Sequence, residues 1–311
     1  MAWVVGIDEA GYGPNLGPFV QSAVALRLPE GDPAGWETLK RVVRRSHEKP
    51  DGRVLIDDSK KVYARGGLAA LERSVRTAFS FEHATVGDLF RHTTLAGIWE
   101  ELAEESWFDA DETAPVSPGE ANHTVRLDEL GETTRTSIPA ASVVPPTRFN
   151  RICDESGTKA TVLARGLVEL VQAVLGKLGA GDEPVAFHCD KQGGRNFYAS
   201  ILQEAFPDGW VVAEKEAAAE SRYRVDLLER PVTITFRPRA EADSIAVALA
   251  SMLCKYLREV CMRQFNRFWQ GHVPGLLPTA GYPADARRFY EAIHPCFQQL
   301  GLNEEQVWRK K

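Results

Sequence analysis

Two adjacent carboxylates, Asp8 and Glu9, follow a short apolar run and precede a stretch crowded with glycine and proline, Gly11-Tyr12-Gly13-Pro14-Asn15-Leu16-Gly17-Pro18. A third, Asp190, closes a second apolar run, Val185 to Cys189. Carboxylates at the ends of neighbouring strands meet at one edge of a sheet, where catalytic groups gather in open α/β folds. Such oxygen donors suit hard divalent cations like Mg²⁺, which take one or two carboxylates together with a substrate phosphate. A pair of these ions about 3.5 to 4 Å apart stabilises both the attacking and the leaving oxygen of a phosphodiester cleavage. Taken singly, each acid is explained as a solvated strand end, so the chemistry depends on the fold bringing them together.

Other polar residues are placed to support such a site. Glycines 11 and 13 let backbone groups approach a ligand without side chains in the way. Ser59 is placed to cap a helix starting at Lys60, and a helix N-terminus flanked by Lys60 and Lys61 attracts phosphate. Tyr282, held between Gly281 and Pro283, sits on a fixed turn where its ring can pack on a sugar or base. His188 lies two residues before Asp190 and projects to the same face, where a hydrogen-bonded core histidine is the simpler reading. Lys191 and Arg195, just past the strand end, reach either phosphate or solvent. The five cysteines form no Cys-x-x-Cys pair, which excludes a zinc clip or dithiol redox site, and no local Ser/His/Asp signature stands out.

The elements that position these residues are legible from periodicity. Ala2 to Asp8 is β-rich, and Val20, Ser22, Val24, Leu26 and Leu28 alternate as a second strand would. Leu163, Leu167, Leu170, Val171, Val174 and Leu178 recur at helical spacing from Thr161 to Leu178. Val232, Ile234 and Phe236 alternate as a strand leading into a long helix from about Ala242 to Phe268, nearly all apolar between Ile245 and Cys254, with Lys255, Arg258, Arg263 and Arg267 expected on its exposed half. Residues 100 to 147 carry few apolar positions and five prolines, which predicts an exposed insertion. The expected organisation is one catalytic domain over residues 1–311, with that insertion and a helical C-terminal part from about 270 to 311.

Composition bounds the partners. The 311 residues are 44% hydrophobic, ample for a packed core. No apolar run is long enough to span a bilayer and the N-terminus lacks signal-peptide features, so cytoplasmic residence and no membrane partner are expected. A net charge of −6 speaks against nucleic acid until its distribution is considered. Between Glu100 and Ser137 eleven acidic residues face two basic ones, so the rest of the chain is net basic.

Four motifs together resemble one family. Gly6-Ile7-Asp8-Glu9-Ala10-Gly11-Tyr12-Gly13-Pro14 followed by Gly17-Pro18 is similar to the opening strand and loop of the type 2 ribonucleases H, that is ribonucleases HII and HIII. Asp58-Ser59-Lys60-Lys61, Ala250-Ser251-Met252-Leu253-Cys254-Lys255 and Gly281-Tyr282-Pro283 resemble later motifs of that family, in the same order. The resemblance implies an α/β ribonuclease H-like fold, a mixed central sheet flanked by helices, and Mg²⁺- or Mn²⁺-dependent cutting of the RNA strand in RNA/DNA hybrid duplexes, leaving 3′-hydroxyl and 5′-phosphate ends. It implies metal-binding catalytic roles for Asp8, Glu9 and Asp190, with a fourth acid at Glu241 or Asp243. Counting back ten residues from Ser251 favours Glu241, leaving Asp243 as the expected helix N-cap. Gly11, Tyr12, Gly13, Ser59, Lys60, Lys61, Lys255 and Tyr282 are the implied substrate-binding residues.

In one place the chain departs from the pattern: ribonuclease HII usually has Arg between the two loop glycines, where this chain has Tyr12. RNA tracts are therefore expected to be cut better than a lone ribonucleotide. The rival readings are a divergent relative that binds nucleic acid without cutting it, a nuclease for another structured nucleic acid, and a dinucleotide-binding enzyme. Pro14 and Pro18 oppose the last, because a helix should open directly after such a loop.

Overall fold

The N-terminal apolar run forms strand β1 (Ala2–Ala10), whose successive side chains are buried in two different cores: Val4 on one face, Val5 and Ile7 on the other. A strand with both faces covered reads as a continuous apolar run, and it belongs in the middle of a sheet. The computed structural model describes residues 1–117 and 137–310. Their strands continue with β2 (Phe19–Leu28), the two-residue β3 (Val43–Arg44) and β4 (Val54–Leu55), β5 (Ile138–Val144), β6 (Val185–Asp190), β7 (Trp210–Glu216), β8 (Ser221–Asp226) and β9 (Val232–Arg237). Strands β3 and β4 pair with each other, and the other seven form one sheet in the order β5-β2-β1-β6-β9-β8-β7.

The sheet is mixed. β1, β6 and β9 are mutually parallel neighbours, while β2, β5, β8 and β7 join by antiparallel pairing. The helices among the described residues are α1 (Trp36–Leu39), α2 (Ser59–Phe79), α3 (Val86–Thr93), α4 (Ala96–Ala103), α5 (Pro146–Ser156), α6 (Ala160–Leu178), α7 (Ala199–Ala205), α8 (Ile245–His272), α9 (Pro283–Ile293) and the single turn α10 (Phe297–Leu300). Residues of α8 and α2 share a core with Val4, Val20 and Val24, whereas α6 and α7 share one with Val5, Ile7 and Phe187. Helices thus cover both faces of a mixed α/β sheet, the layer arrangement that the motifs lead one to expect.

Helix α8 lies directly on β1. A Cβ on Gly6 would come within 2.0 Å of the Ala246 carbonyl carbon, so only glycine allows this approach. The helix begins at Ile245, a few residues later than its apolar pattern predicts. Arg258, expected on its exposed half, is 2% exposed.

Residues 100 to 147 differ from the exposed insertion expected. Ile138–Val144 is a sheet strand, and Pro139 to Val144 are buried in it. The prolines do not exclude a strand here, because β5 is an edge strand, where a missing N–H costs no ladder bond and Pro139 is tolerated opposite Val24. Acids of the segment are tied to the body, Glu101 to Arg148 at 2.7 Å and to Arg151 at 2.8 Å, and Glu112 to Arg267 at 2.7 Å. Residues 118–136, the centre of the expected insertion, lie outside the described residues. In the C-terminal part, α9 is followed by short turns and by Trp308, which pairs back to Leu16. Among the described residues no helix is long and apolar enough to cross a membrane.

Candidate active site

Strand register brings the acids together. β1 and β6 run parallel with Ile7 opposite Cys189, so the next residues, Asp8 and Asp190, end at the same sheet edge. On the other side of β6, Asp190 pairs with Arg237 at the end of β9, and the chain then turns through the 3-10 turn Ala240–Ala242 that carries Glu241. Arg239 enters this turn with φ 60°, a left-handed conformation uncommon for arginine. The Ala240 N–H donates to Asp190 Oδ1 at 3.3 Å, fixing the turn against the acid.

One pocket of about 460 Å³ joins these elements. Its acids are Asp8, Glu9, Asp58, Asp190 and Glu241, and its cations are Lys60, Arg239, Lys255 and Arg258. Gly11, Tyr12, Ser59, Ser251 and Tyr282 complete most of the wall. Asp8 is buried, and the Glu9 N–H donates to its Oδ1 at 2.7 Å.

The carboxylates resist carrying charge together. Burial pushes Asp8 up to about 7 against the nearby Ser251 hydroxyl, and Asp190 and Glu241 push the same way. Glu9 is held well above the ordinary glutamate value, first by burial and then by Asp8 and Asp190. Asp190 and Glu241 are also raised by burial, and the Asp190 and Asp58 charges add to the effect on Glu241. Among the described residues, no three His, Cys, Asp or Glu side chains are already drawn around one point as a metal cage. The donor chemistry nevertheless fits a hard divalent cation, because the four carboxylates supply oxygen ligands and a shared charge that such an ion neutralises.

Several expected contacts fall elsewhere. The cap of α2 is Asp58, whose side chain accepts from Lys60 N at 2.8 Å; Ser59 is instead the first helical residue, hydrogen-bonded at 3.0 Å to Ser251. A carboxylate accepts this N–H as readily as a hydroxyl, and Asp58 precedes the turn. Lys61 does not line the pocket and pairs with Asp57 at 3.2 Å. Gly13 is exposed beyond the lining. Asp243 is also outside the lining, its side chain exposed and 3.8 Å from Arg237, and it does not cap α8, since the N-cap position is Ser244. His188 does not line the pocket either, and burial lowers its pKa.

Tyr12 packs against Phe19 with ring centroids 5.7 Å apart, and Lys159 Nζ sits 5.0 Å over its ring. Tyr282 is 52% exposed at the pocket rim.

No protein-family profile matches the chain, and no curated protein matches it. Solved structures do match. Bst-RNase HIII in complex with Mn²⁺ is 18% identical with a TM-score of 0.45, over 99% of this chain and 66% of that one. Ribonuclease H2 from Pyrococcus horikoshii OT3 is 15% identical with a TM-score of 0.43, over 98% and 92%. The RNase HII of the PCNA:RNase HII complex from Archaeoglobus fulgidus is 16% identical with a TM-score of 0.41, over 99% and 94%. All three are type 2 ribonucleases H.

Sequence reasoning passed over Asp58, Arg239 and Arg258. The first stands in a quoted motif, and an acid before a helical Ser-Lys is a cap signal in its own right. Arg258 follows Lys255 by three residues and so shares its helix face, a signal that was available. Arg239 gave none, because its left-handed conformation is a tertiary outcome.

Proposed function

We propose that this chain is a metal-dependent endonuclease of the ribonuclease H type, acting on the RNA strand of RNA/DNA hybrids and leaving 3′-hydroxyl and 5′-phosphate ends. The observation that carries the reading is the gathering of Asp8, Glu9, Asp190 and Glu241 from three neighbouring strand ends into one pocket beside a glycine loop. In this reading those four acids hold Mg²⁺ or Mn²⁺. When bound, the cations supply a water acidified toward neutral pH and neutralise charge on the reacting phosphate.

The chain's own residues do the rest. Lys60 and Lys255, which line the same pocket, draw the phosphate backbone in and orient it. The backbone at Gly11 and Tyr12 approaches a ribose closely enough to sense the 2′-hydroxyl that separates RNA from DNA. Tyr282, exposed at the rim, stacks against a sugar or base. Residues 1–311 act as one catalytic unit in the cytoplasm, and the hybrid duplex is its partner. Support for RNA/DNA as the substrate comes from the four sequence motifs, since carboxylate geometry specifies the reaction and leaves the substrate open.

The test is cleavage of three end-labelled duplexes: an RNA/DNA hybrid, a DNA duplex with one ribonucleotide, and all-DNA. Each is incubated with Mg²⁺, Mn²⁺ or chelator. Cutting of the hybrid that chelator abolishes is the expected result, and an intact hybrid under both metals would refute the reading.

A further inference from the structure

Among the described residues, three that are not glycine have a left-handed backbone: Ser80, Leu227 and Arg239. Ser80 closes helix α2, an ordinary place for that conformation, and Leu227 follows β8 on the surface. Arg239 is the one that lines the carboxylate pocket. Its φ of 60° and ψ of 41° bring its Cβ against its own backbone, a strain that glycine would not carry. Strain of this kind persists where the surroundings require it, and an observed outlier at a site asks what it serves.

The conformation does two things. It turns the successive N–H groups of Arg239 and Ala240 toward the Asp190 carboxylate, the second at 3.3 Å from Oδ1. Successive N–H groups around a left-handed residue form a concavity that holds an anion, so the turn fixes this acid. It also brings the Arg239 side chain to the pocket that Asp190 and Glu241 line. The first task needs only backbone, which glycine would supply without strain. The second needs the guanidinium. Arg237, two residues earlier, is held by Glu220 at 2.6 Å, whereas the exposed Arg239 side chain has no hydrogen bond or ion pair among the described residues. Lys255 is engaged by Glu259 at 2.6 Å and Arg258 is buried, donating to the Ala280 carbonyl at 3.0 Å. Lys60 and Arg239 are therefore the pocket cations left without a carboxylate partner among the described residues.

We propose that Arg239 contacts the substrate, its guanidinium gripping a phosphate of the strand being cut on the β9 side of the pocket. A phosphate entering among five carboxylates is repelled, and a cation fixed beside Asp190 and Glu241 offsets that repulsion. Guanidinium suits the task because it stays charged and its planar fork matches two phosphate oxygens. The left-handed strain is tolerated because one residue fixes Asp190 through its backbone and supplies this charge through its side chain. The contact rests on the nuclease reading for the identity of its anion as a phosphodiester.

The test separates backbone from side chain in the full chain. Arg239→Gly removes guanidinium and strain together, Arg239→Gln removes the charge and keeps the strain, and Arg239→Lys keeps the charge without the fork. Binding of a labelled RNA/DNA hybrid is measured in chelator, so that nothing is cut, between roughly 50 and 200 mM salt. The log–log slope should be shallower by about one in Arg239→Gly and Arg239→Gln and near wild type in Arg239→Lys. Arg239→Gly should melt no lower than wild type. Its single-turnover cleavage with Mg²⁺ or Mn²⁺ should nevertheless fall roughly 10- to 100-fold, as should that of Arg239→Gln, with a smaller loss in Arg239→Lys. A merely structural arginine would lower the melting point of Arg239→Gly and leave its slope alone.

A wild-type slope in both Arg239→Gly and Arg239→Gln overturns the contact, and so does wild-type cleavage by Arg239→Gly. If Arg239→Gly does not fold, the slopes of Arg239→Gln and Arg239→Lys decide. A slope change in a protein whose wild type cuts no hybrid refutes the nuclease reading and leaves the phosphate contact standing. Wild-type cleavage with unchanged slopes in the variants refutes the contact alone.

Discussion

Asp8, Glu9, Asp190 and Glu241 face a common difficulty: each is raised by burial, and the charge of one opposes ionisation of another. Asp243 lacks that environment, being exposed near Arg237. The two candidates for the fourth acid therefore separate cleanly by substitution. Glu241→Gln should drop hybrid cleavage to the chelator background, as should Asp8→Asn, with the fold intact in both. Asp243→Asn should keep near-normal turnover and change stability by less than ~0.5 kcal/mol, as exposed substitutions away from special features do. Single-turnover rates with denaturant melts check this, and an inactive Asp243→Asn beside an active Glu241→Gln would reverse the assignment.

Elements place these residues through a few tight contacts. Gly11 has φ 81°, and a side chain there would strike the Arg258 guanidinium, so two costs coincide at one position. Gly11→Ala should destabilise by about 1 to 3 kcal/mol and lower hybrid cleavage, read from the denaturant midpoint and the initial rate. An alanine variant as stable as wild type would show that the loop relaxes freely. Away from the site, Glu105 follows α4, accepts from Trp107 Nε1 at 2.9 Å, and is pushed up to about 7 by burial. A raised folded-state value means its contribution is complete below the ordinary glutamate value of about 4.3 and is lost as pH rises through about 7. The thermal midpoint of wild type relative to Glu105→Gln should thus fall between pH 5 and pH 8. A constant difference would show that Glu105 titrates normally.

The molecule as a whole joins a net-acidic segment to a net-basic remainder, and ion pairs such as Glu112 with Arg267 fasten the two. Its site concentrates repulsion that cations relieve, so metal should stabilise the native state by mass action. At Mg²⁺ or Mn²⁺ about ten times its dissociation constant the gain is ~1.4 kcal/mol, a rise of about 3 °C in thermal midpoint. Scanning calorimetry with metal and with chelator measures it, and Asp8→Asn should show little of the shift. An unchanged wild-type midpoint at millimolar metal would count against a shared ion site.

From sequence alone, β1, β2, β6, β9, α6 and α8 are legible, because long apolar stretches with clear periodicity encode burial locally. Asp8, Glu9 and Asp190 are legible as strand-end acids for the same reason, and the motifs pointed to the fold. β5 was hidden by its prolines, since only its edge position in the sheet makes them tolerable. The cap of α2 and the orientation of Arg258 depended on which groups the packed chain left within reach. The pocket itself, and the meeting of Arg309 with a loop 298 residues earlier in the chain, came only from tertiary structure. Contacts at that separation leave no periodic trace, because what determines them is the register of parallel strands and the packing of helices across them.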